Sequence, residues 1–238
     1  METPSLRGRR FLFASNSDPI SQRVLGENYG DIKHRYLSTK EESDLAEMLE
    51  IRWHGRGGQG AKTAALLLAE AAAAVGKYVQ AFPEYGPERM GAPVVSYNRI
   101  SDEPITIHSS VKAPGYVAVL DASFIGSIDF TTGIPPHGVL LINSTDSSSD
   151  IRRMMRLSDD AIKVYTLDAS RISQETIGRP IPNTPMLGAM VAATKIMGIE
   201  ELLEDTRNRL ERKFRGRPEL IEGNMAAITQ AYEEVQRQ

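Results

Sequence analysis

The residues best suited to chemistry form a glycine-rich loop that begins at residue 55. The loop is Gly55-Arg-Gly-Gly-Gln-Gly60, and it lies between a strand-like run ending at His54 and an alanine-rich run starting at Ala61. Its glycines have the G-x-G-x-x-G spacing. Such glycines let the backbone turn tightly and bring bare N–H groups to a ligand, while the following helix contributes a partial positive charge. The pattern therefore predicts a loop that favours a phosphate or another anion.

Three interpretations of this loop remain open from the residues alone. A dinucleotide site would need an acidic residue after the second strand, about 20 residues further on, and Glu84 is the candidate. A P-loop would need Lys directly after the last glycine. Here Ala61 separates Gly60 from Lys62, which turns Lys62 by about 100° around the helix. Alternatively, the glycines only permit close packing of helix against strand.

A second segment of interest runs from Ala81 to Pro93. It contains Glu84, Glu88 and Arg89 among prolines and glycines, which stiffen a loop and set unusual backbone angles. Since the segment follows the second predicted strand, we expect it at the sheet edge that also carries the glycine loop. An Arg–Glu pair that only braces a turn explains the same residues equally well.

Composition excludes several classes of protein. The 238-residue chain has a formal net charge of -3, so there is no electrostatic case for binding nucleic acid. It has no cysteine, which excludes disulfides and cysteine-ligated clusters within the chain. Its four histidines lack metal-site spacing. We identify no catalytic residue, no metal site, no export signal and no membrane span, and we expect a cytoplasmic location.

The elements that must position these loops alternate along the chain. Apolar runs predict strands at Glu50–His54, Tyr78–Phe82, Pro93–Arg99, Ile105–His108, Tyr116–Asp121, Val139–Asn143 and Ile162–Leu167. Helices are predicted at Ala61–Val75, Asp150–Leu157, Ser170–Ile177, Met186–Met197, Glu200–Phe214 and from Pro218 onward. We therefore predict an α/β fold with a mixed, mainly parallel sheet sandwiched by helices and a helical C-terminal part. The turn at Ser101–Pro104 suggests a hairpin between Pro93–Arg99 and Ile105–His108.

The first 48 residues differ from the rest of the chain. They are rich in Arg, Ser, Asn and Gly and show no sustained hydrophobic period. We interpret residues 1–48 as an N-terminal extension and residues 49–238 as one domain.

The two loops together carry a resemblance to a known family. At Gly55–Gly60 and Glu84–Pro93, the chain resembles the gamma subunit, or gamma domain, of 2-oxoacid:ferredoxin oxidoreductases, with the pyruvate enzymes nearest. Pro182-Asn183-Thr184 and the closing amphipathic helices are similar to that family too. The resemblance covers about residues 49 to 238. Met90 departs from it, since the family often has a second basic residue at that position.

The resemblance implies a multi-subunit enzyme that converts a 2-oxoacid such as pyruvate to an acyl-CoA and passes electrons to ferredoxin. It implies alpha, beta and ferredoxin-like partner subunits, which hold thiamine diphosphate and iron–sulfur clusters. In this family the gamma domain is associated with coenzyme A binding and with assembly. The residues that carry over as candidates for the coenzyme A site are Gly55, Gly57, Gly58, Gln59, Gly60, Glu84 and Arg89.

Two alternatives to this reading remain. The first is a free-standing NAD(P)-dependent oxidoreductase that uses the same glycine loop. The second is an assembly-only subunit of a related glyoxylate- or oxalate-type enzyme. The sequence names neither the 2-oxoacid nor the physiological direction.

Overall fold

The computed structural model describes residues 48–84, 91–157 and 161–238. Residues 1–47, 85–90 and 158–160 lie outside these ranges, and with them Glu88, Arg89 and all but the last residue of the N-terminal extension. The predictions made for them remain predictions.

The described residues form one six-stranded sheet with the strand order β2-β3-β1-β4-β5-β6. The strands are β1 Leu49–Arg56, β2 Tyr78–Pro83, β3 Pro93–Ser101, β4 Tyr116–Val119, β5 Val139–Asn143 and β6 Lys163–Leu167. Strands β1, β4, β5 and β6 are mutually parallel, whereas β3 runs antiparallel to both of its neighbours. The predicted mixed, mainly parallel α/β sheet is therefore confirmed.

Helices cover both faces of this sheet. They are α1 Ala61–Ala74, α2 Ser148–Met154, α3 Ala169–Ile177, α4 Asn183–Thr194, α5 Ile199–Lys213 and α6 Pro218–Gln236. Five of them, all except α2, pack into one hydrophobic core with alternate residues of the central strands, such as Ala118 and Leu141. The intervening residues Val117 and Leu140 point into a smaller core on the α2 side. Burial on both faces explains why these strands are continuous apolar runs.

The predicted hairpin between Pro93–Arg99 and Ile105–His108 is wrong. Residues 105–108 form no strand, and β3 pairs instead with β2, with Tyr78 opposite Ser101. Strand β3 also pairs along the whole of β1, so it is inserted between β1 and β2. Pairing on both edges gives β3 a complete hydrogen-bond ladder, which the short apolar run at 105–108 could not supply.

Helices α4 and α6 approach each other unusually closely. A Cβ added at Gly188 would lie 2.3 Å from the carbonyl oxygen of Ile228. A larger residue at position 188 could not be accommodated without moving one helix. The small residues of α4 thus set the spacing of the helical layer.

Within the described ranges, no helix combines the length and the apolar character needed to cross a bilayer.

Candidate functional site

The glycine loop lies at the edge of the sheet where the parallel strands end. Strand β1 ends at Arg56, and the backbone N–H of Leu120, just beyond β4, donates to the carbonyl of His54 at 2.8 Å. A turn closes when the N–H of Gln59 donates to the Arg56 carbonyl at 3.0 Å. Helix α1 then starts at once, because the N–H of Ala64 donates to the Gly60 carbonyl. This is the edge where α/β proteins bind ligands.

Side chains brace the loop against the end of β4. Gln59 accepts a hydrogen bond from the Arg56 N–H at 2.8 Å and donates one to Asp121 at 3.0 Å. The Arg56 guanidinium donates to the same Asp121 carboxylate at 2.8 Å and lies 4.6 Å from the centre of the Phe124 ring. The carboxylate charge is thus balanced by Arg56, so the loop carries no net negative charge at this point.

The Asp121 carboxylate stays ionised in this setting. Burial by itself would raise the pKa of Asp121, but hydrogen bonds from Ser123, Arg56 and Gln59 lower it below its ordinary value. Both the hydroxyl and the backbone N–H of Ser123 donate to this carboxylate, at 2.6 and 3.0 Å. Asp121 therefore acts as a fixed acceptor that orients the loop from 65 residues away.

Only part of the loop backbone remains free to meet a ligand. The N–H of Gly57 donates to the Ala92 carbonyl at 3.0 Å, and that of Gln59 closes the turn. The N–H groups of Gly58, Gly60 and the first turn of α1 have no acceptor among the described residues. Gly58 is exposed, with a φ of 100° and open space where a Cβ would be. The available donors are therefore centred on Gly58 and the N-terminus of α1.

Two glycines of the motif serve packing. A Cβ at Gly55 would lie 3.2 Å from the Ala61 side chain and 3.5 Å from that of Leu120. Gly60 has a φ of 84°, and a Cβ there would approach the Asn183 side chain to 2.9 Å. The interpretation of close helix–strand packing fits Gly55, whereas Gly60 faces the Asn183 side chain of α4 and Gly58 has no packing partner among the described residues.

Glu84 lies beside β3 rather than beside the glycine loop. It accepts a hydrogen bond from the Tyr97 hydroxyl at 2.6 Å. Burial and this contact raise the pKa of Tyr97 to about 12. In a dinucleotide-binding fold the acidic residue ends the strand next to β1. Here β3 intervenes, which puts the end of β2 about 10 Å from β1. The geometry disfavours the dinucleotide interpretation.

The segment after β2 does meet the glycine loop, through its last residues. The Arg56 guanidinium donates to the Gly91 carbonyl at 3.2 Å, next to the contact between Gly57 and Ala92. The expectation that both loops lie at one sheet edge is confirmed for these residues.

A buried polar layer lies beneath the site on the α2 side of β1 and β3. Glu50 and Arg99 form an ion pair at 2.7 Å with almost no exposure. Arg52 donates to the Phe130 carbonyl at 2.8 Å, and His54 packs edge-on against the Phe130 ring. Burial, followed by the charge of Arg52, lowers the pKa of His54 to about 4, so its ring is neutral at pH 7. On the opposite face Trp53 is fully buried.

Four residues that shape the site have no site role in the sequence analysis. They are Arg56, Asp121, Ser123 and Asn183. One signal was present, since Asp121 ends a continuous apolar run, Val117–Leu120. Ends of buried parallel strands commonly carry site residues. The partners of Asp121 could not be identified, because no local pattern links it to residue 56. Within the described ranges, no group of three His, Asp or Glu could hold a metal ion.

Comparison with known proteins agrees with this architecture. The family model for pyruvate ferredoxin/flavodoxin oxidoreductase matches residues 50–234. The pyruvate synthase subunit PorC of Thermotoga maritima is 44% identical over 186 residues, which covers 78% of this chain and 94% of that protein. The common gamma subunit of the pyruvate/ketoisovalerate oxidoreductases of Pyrococcus furiosus is 44% identical over 192 residues, covering 79% and 98%.

A solved structure shows the same fold. The crystal structure of the pyruvate oxidoreductase subunit PORC from Thermotoga maritima superposes with a TM-score of 0.68 at 41% identity. The match covers 79% of this chain and 97% of that one.

Proposed function

This chain belongs to the pyruvate ferredoxin/flavodoxin oxidoreductase family as a gamma-type subunit of an oxidoreductase complex, and we propose that its glycine loop contributes to the coenzyme A site. The complex oxidatively decarboxylates a 2-oxoacid of the pyruvate type, or runs the reverse reaction. The observation that carries the proposal is the set of free backbone donors around Gly58 at the N-terminus of α1.

The loop suits an anionic group such as a phosphate of coenzyme A. Its free N–H groups lie at the positive end of a 14-residue helix, where an anion is stabilised by the helix dipole as well as by hydrogen bonds. Lys62 lies exposed in the first turn of α1 and adds a cation at the same end. Gly58 is exposed, and no atom of the described residues lies within 4 Å of a Cβ placed there, so a ligand has access to these donors.

The remaining chemistry belongs to other subunits. Iron–sulfur clusters are ligated mainly by cysteine thiolates, and this chain has none. We therefore propose that partner subunits of alpha, beta and ferredoxin-like type hold thiamine diphosphate and the clusters and pass electrons to ferredoxin. The role of this chain is then to bind and orient coenzyme A and to support assembly.

The test replaces Gly58 in the reconstituted complex. A Gly58→Asp change places a like charge against the ligand, whereas Gly58→Asn adds the same shape without charge. Loss of one charge-assisted contact costs about 1.5–3 kcal/mol, so the KM for coenzyme A should rise at least about tenfold in the Asp variant relative to the Asn variant. The KM for the 2-oxoacid should stay nearly constant in both.

The comparison cancels the strain of placing a side chain at a φ of 100°, because both variants carry that strain. If the KM values for coenzyme A and for the 2-oxoacid rise equally, or if the subunits no longer associate, the glycines serve assembly and the coenzyme A proposal fails.

A further inference from the structure

A groove on the helical face of the molecule has features that neither the sheet-edge site nor the core explains. It has a volume of about 530 Å3 and lies between α1, α3, α5 and the start of α6. Leu67, Ile177 and Phe214 form part of its walls, and each remains partly exposed. A volume of this size is typical of small-molecule sites.

The rim of the groove is strongly cationic. Arg179, Arg212, Lys213 and Arg217 line it, and all four are exposed. None of them has a carboxylate at ion-pair distance within the described part of the chain. Arg209, which also lines the groove, is by contrast paired with Asp205 and Glu70. Four cations without a carboxylate partner around one opening are unexpected in a chain with a net charge of -3.

Helix capping does not account for this charge. Arg212 and Lys213 lie in the last turn of α5, where cations stabilise the helix dipole. Arg179 and Arg217, however, follow α3 and precede α6, so they belong to different segments. Cations from three separate segments facing one opening indicate attraction for an anion.

The floor of the groove keeps unused hydrogen-bonding capacity. Ser173 lies there, and its fully buried hydroxyl has no hydrogen-bond partner in the described structure. Thr184 and Asn224, also at the floor, are joined by a hydrogen bond of 2.9 Å and are more than nine-tenths buried. The Thr184 oxygen can still accept a hydrogen bond, and the Asn224 amide can donate one more. A ligand with polar groups on an otherwise flat, apolar body would satisfy these atoms.

We propose that this groove binds a nucleoside phosphate, with the base between the apolar walls and the phosphates at the cationic rim. Guanidinium groups bind phosphate oxygens with two parallel hydrogen bonds, which suits the three arginines of the rim. A fatty acid would leave the polar floor unpaired, and pyrophosphate alone would leave the walls unused. The nucleoside phosphate is either a free nucleotide or the nucleotide end of coenzyme A. Nucleotide binding in the groove is independent of the proposed coenzyme A contact at Gly58.

Calorimetric titration of the full chain with ADP tests the proposal. We expect saturable binding at one site per chain, with pyrophosphate binding much more weakly. The Arg212→Glu, Arg217→Glu double variant should bind ADP at least about tenfold more weakly. The matched control is Arg215→Glu, because Arg215 is an exposed neighbour on the same turn that does not line the groove. This control should bind ADP as the unchanged chain does.

Titration with coenzyme A distinguishes the two sources of the ligand. If coenzyme A binds more tightly than ADP and is equally sensitive to the double variant, the groove holds the nucleotide end of coenzyme A. If ADP binds at least as well, the ligand is a free nucleotide.

Three outcomes would overturn the proposal. They are the absence of saturable binding of both ADP and coenzyme A, equal binding of ADP and pyrophosphate, and an equal loss of affinity in the Arg215→Glu control. If the unchanged chain binds no nucleotide and the double variant fails to join the complex, the groove is instead an interface with an acidic partner.

Discussion

At the scale of single residues, the buried imidazole of His54 makes the free energy of unfolding depend on pH. The residue is 7% exposed, and its pKa falls from 6.5 to about 4 on folding. Between these values the unfolded chain binds more protons than the folded one, so stability decreases as the pH falls from 6.5 towards 4. The full difference corresponds to roughly 3 kcal/mol. We expect His54→Gln to flatten this part of the stability–pH curve, measured by urea unfolding at several pH values.

The control for this prediction is His108→Gln, since His108 is exposed. It should leave the curve unchanged. Gln at position 54 also shifts the absolute free energy of unfolding, so the comparison concerns the slope alone. An unaltered slope in the His54→Gln variant would show that the folded ring takes up a proton as easily as the unfolded one.

At the scale of elements, the contact between α4 and α6 determines how the helical layer lies on the sheet. A methyl group at Gly188 would meet the Ile228 carbonyl at 2.3 Å, so one helix must move. We expect Gly188→Ala to lower the free energy of unfolding by about 1–3 kcal/mol. That corresponds to roughly 2–4 °C in Tm per kcal/mol for a chain of this size. Thermal unfolding followed by circular dichroism measures the change.

Gly115→Ala is the matched control, because a Cβ there would lie 3.9 Å from the nearest backbone atom, the Glu50 carbonyl oxygen. Its Tm should stay close to that of the unchanged chain. Equal Tm values for both variants would mean that α4 and α6 separate without cost and do not set the spacing of the layer.

At the scale of the whole molecule, residues 49–238 supply a six-stranded sheet and two hydrophobic cores of their own. The 44% identical relatives match this chain over 94% and 98% of their own lengths. We therefore predict that a variant starting at residue 48 folds with the Tm of the full chain. A loss of more than about 1 kcal/mol in the free energy of unfolding would show that the first 47 residues belong to the folded unit. Co-purification with the partner subunits then tests whether those residues contribute to assembly.

Much of the secondary structure could be predicted from the sequence, because it depends on neighbouring residues. The apolar runs of β4 and β5, the alanine-rich α1 and the positive φ angles at Gly58 and Gly60 all follow from local period and backbone freedom. The absence of cysteine likewise excluded a cysteine-ligated cluster within this sequence. The family resemblance added coenzyme A as the candidate ligand, which no local pattern specifies.

Only the tertiary structure decided which distant residues meet. It inserted β3 between β1 and β2, where the sequence had suggested a hairpin with residues 105–108. It brought Asp121 to Arg56 across 65 residues, and it divided the motif glycines into packing positions and the open position Gly58. It also assembled a cationic rim from Arg179, Arg212 and Arg217. Such contacts depend on strand order and helix spacing, which arise from the packing of the whole chain rather than from any local stretch of it.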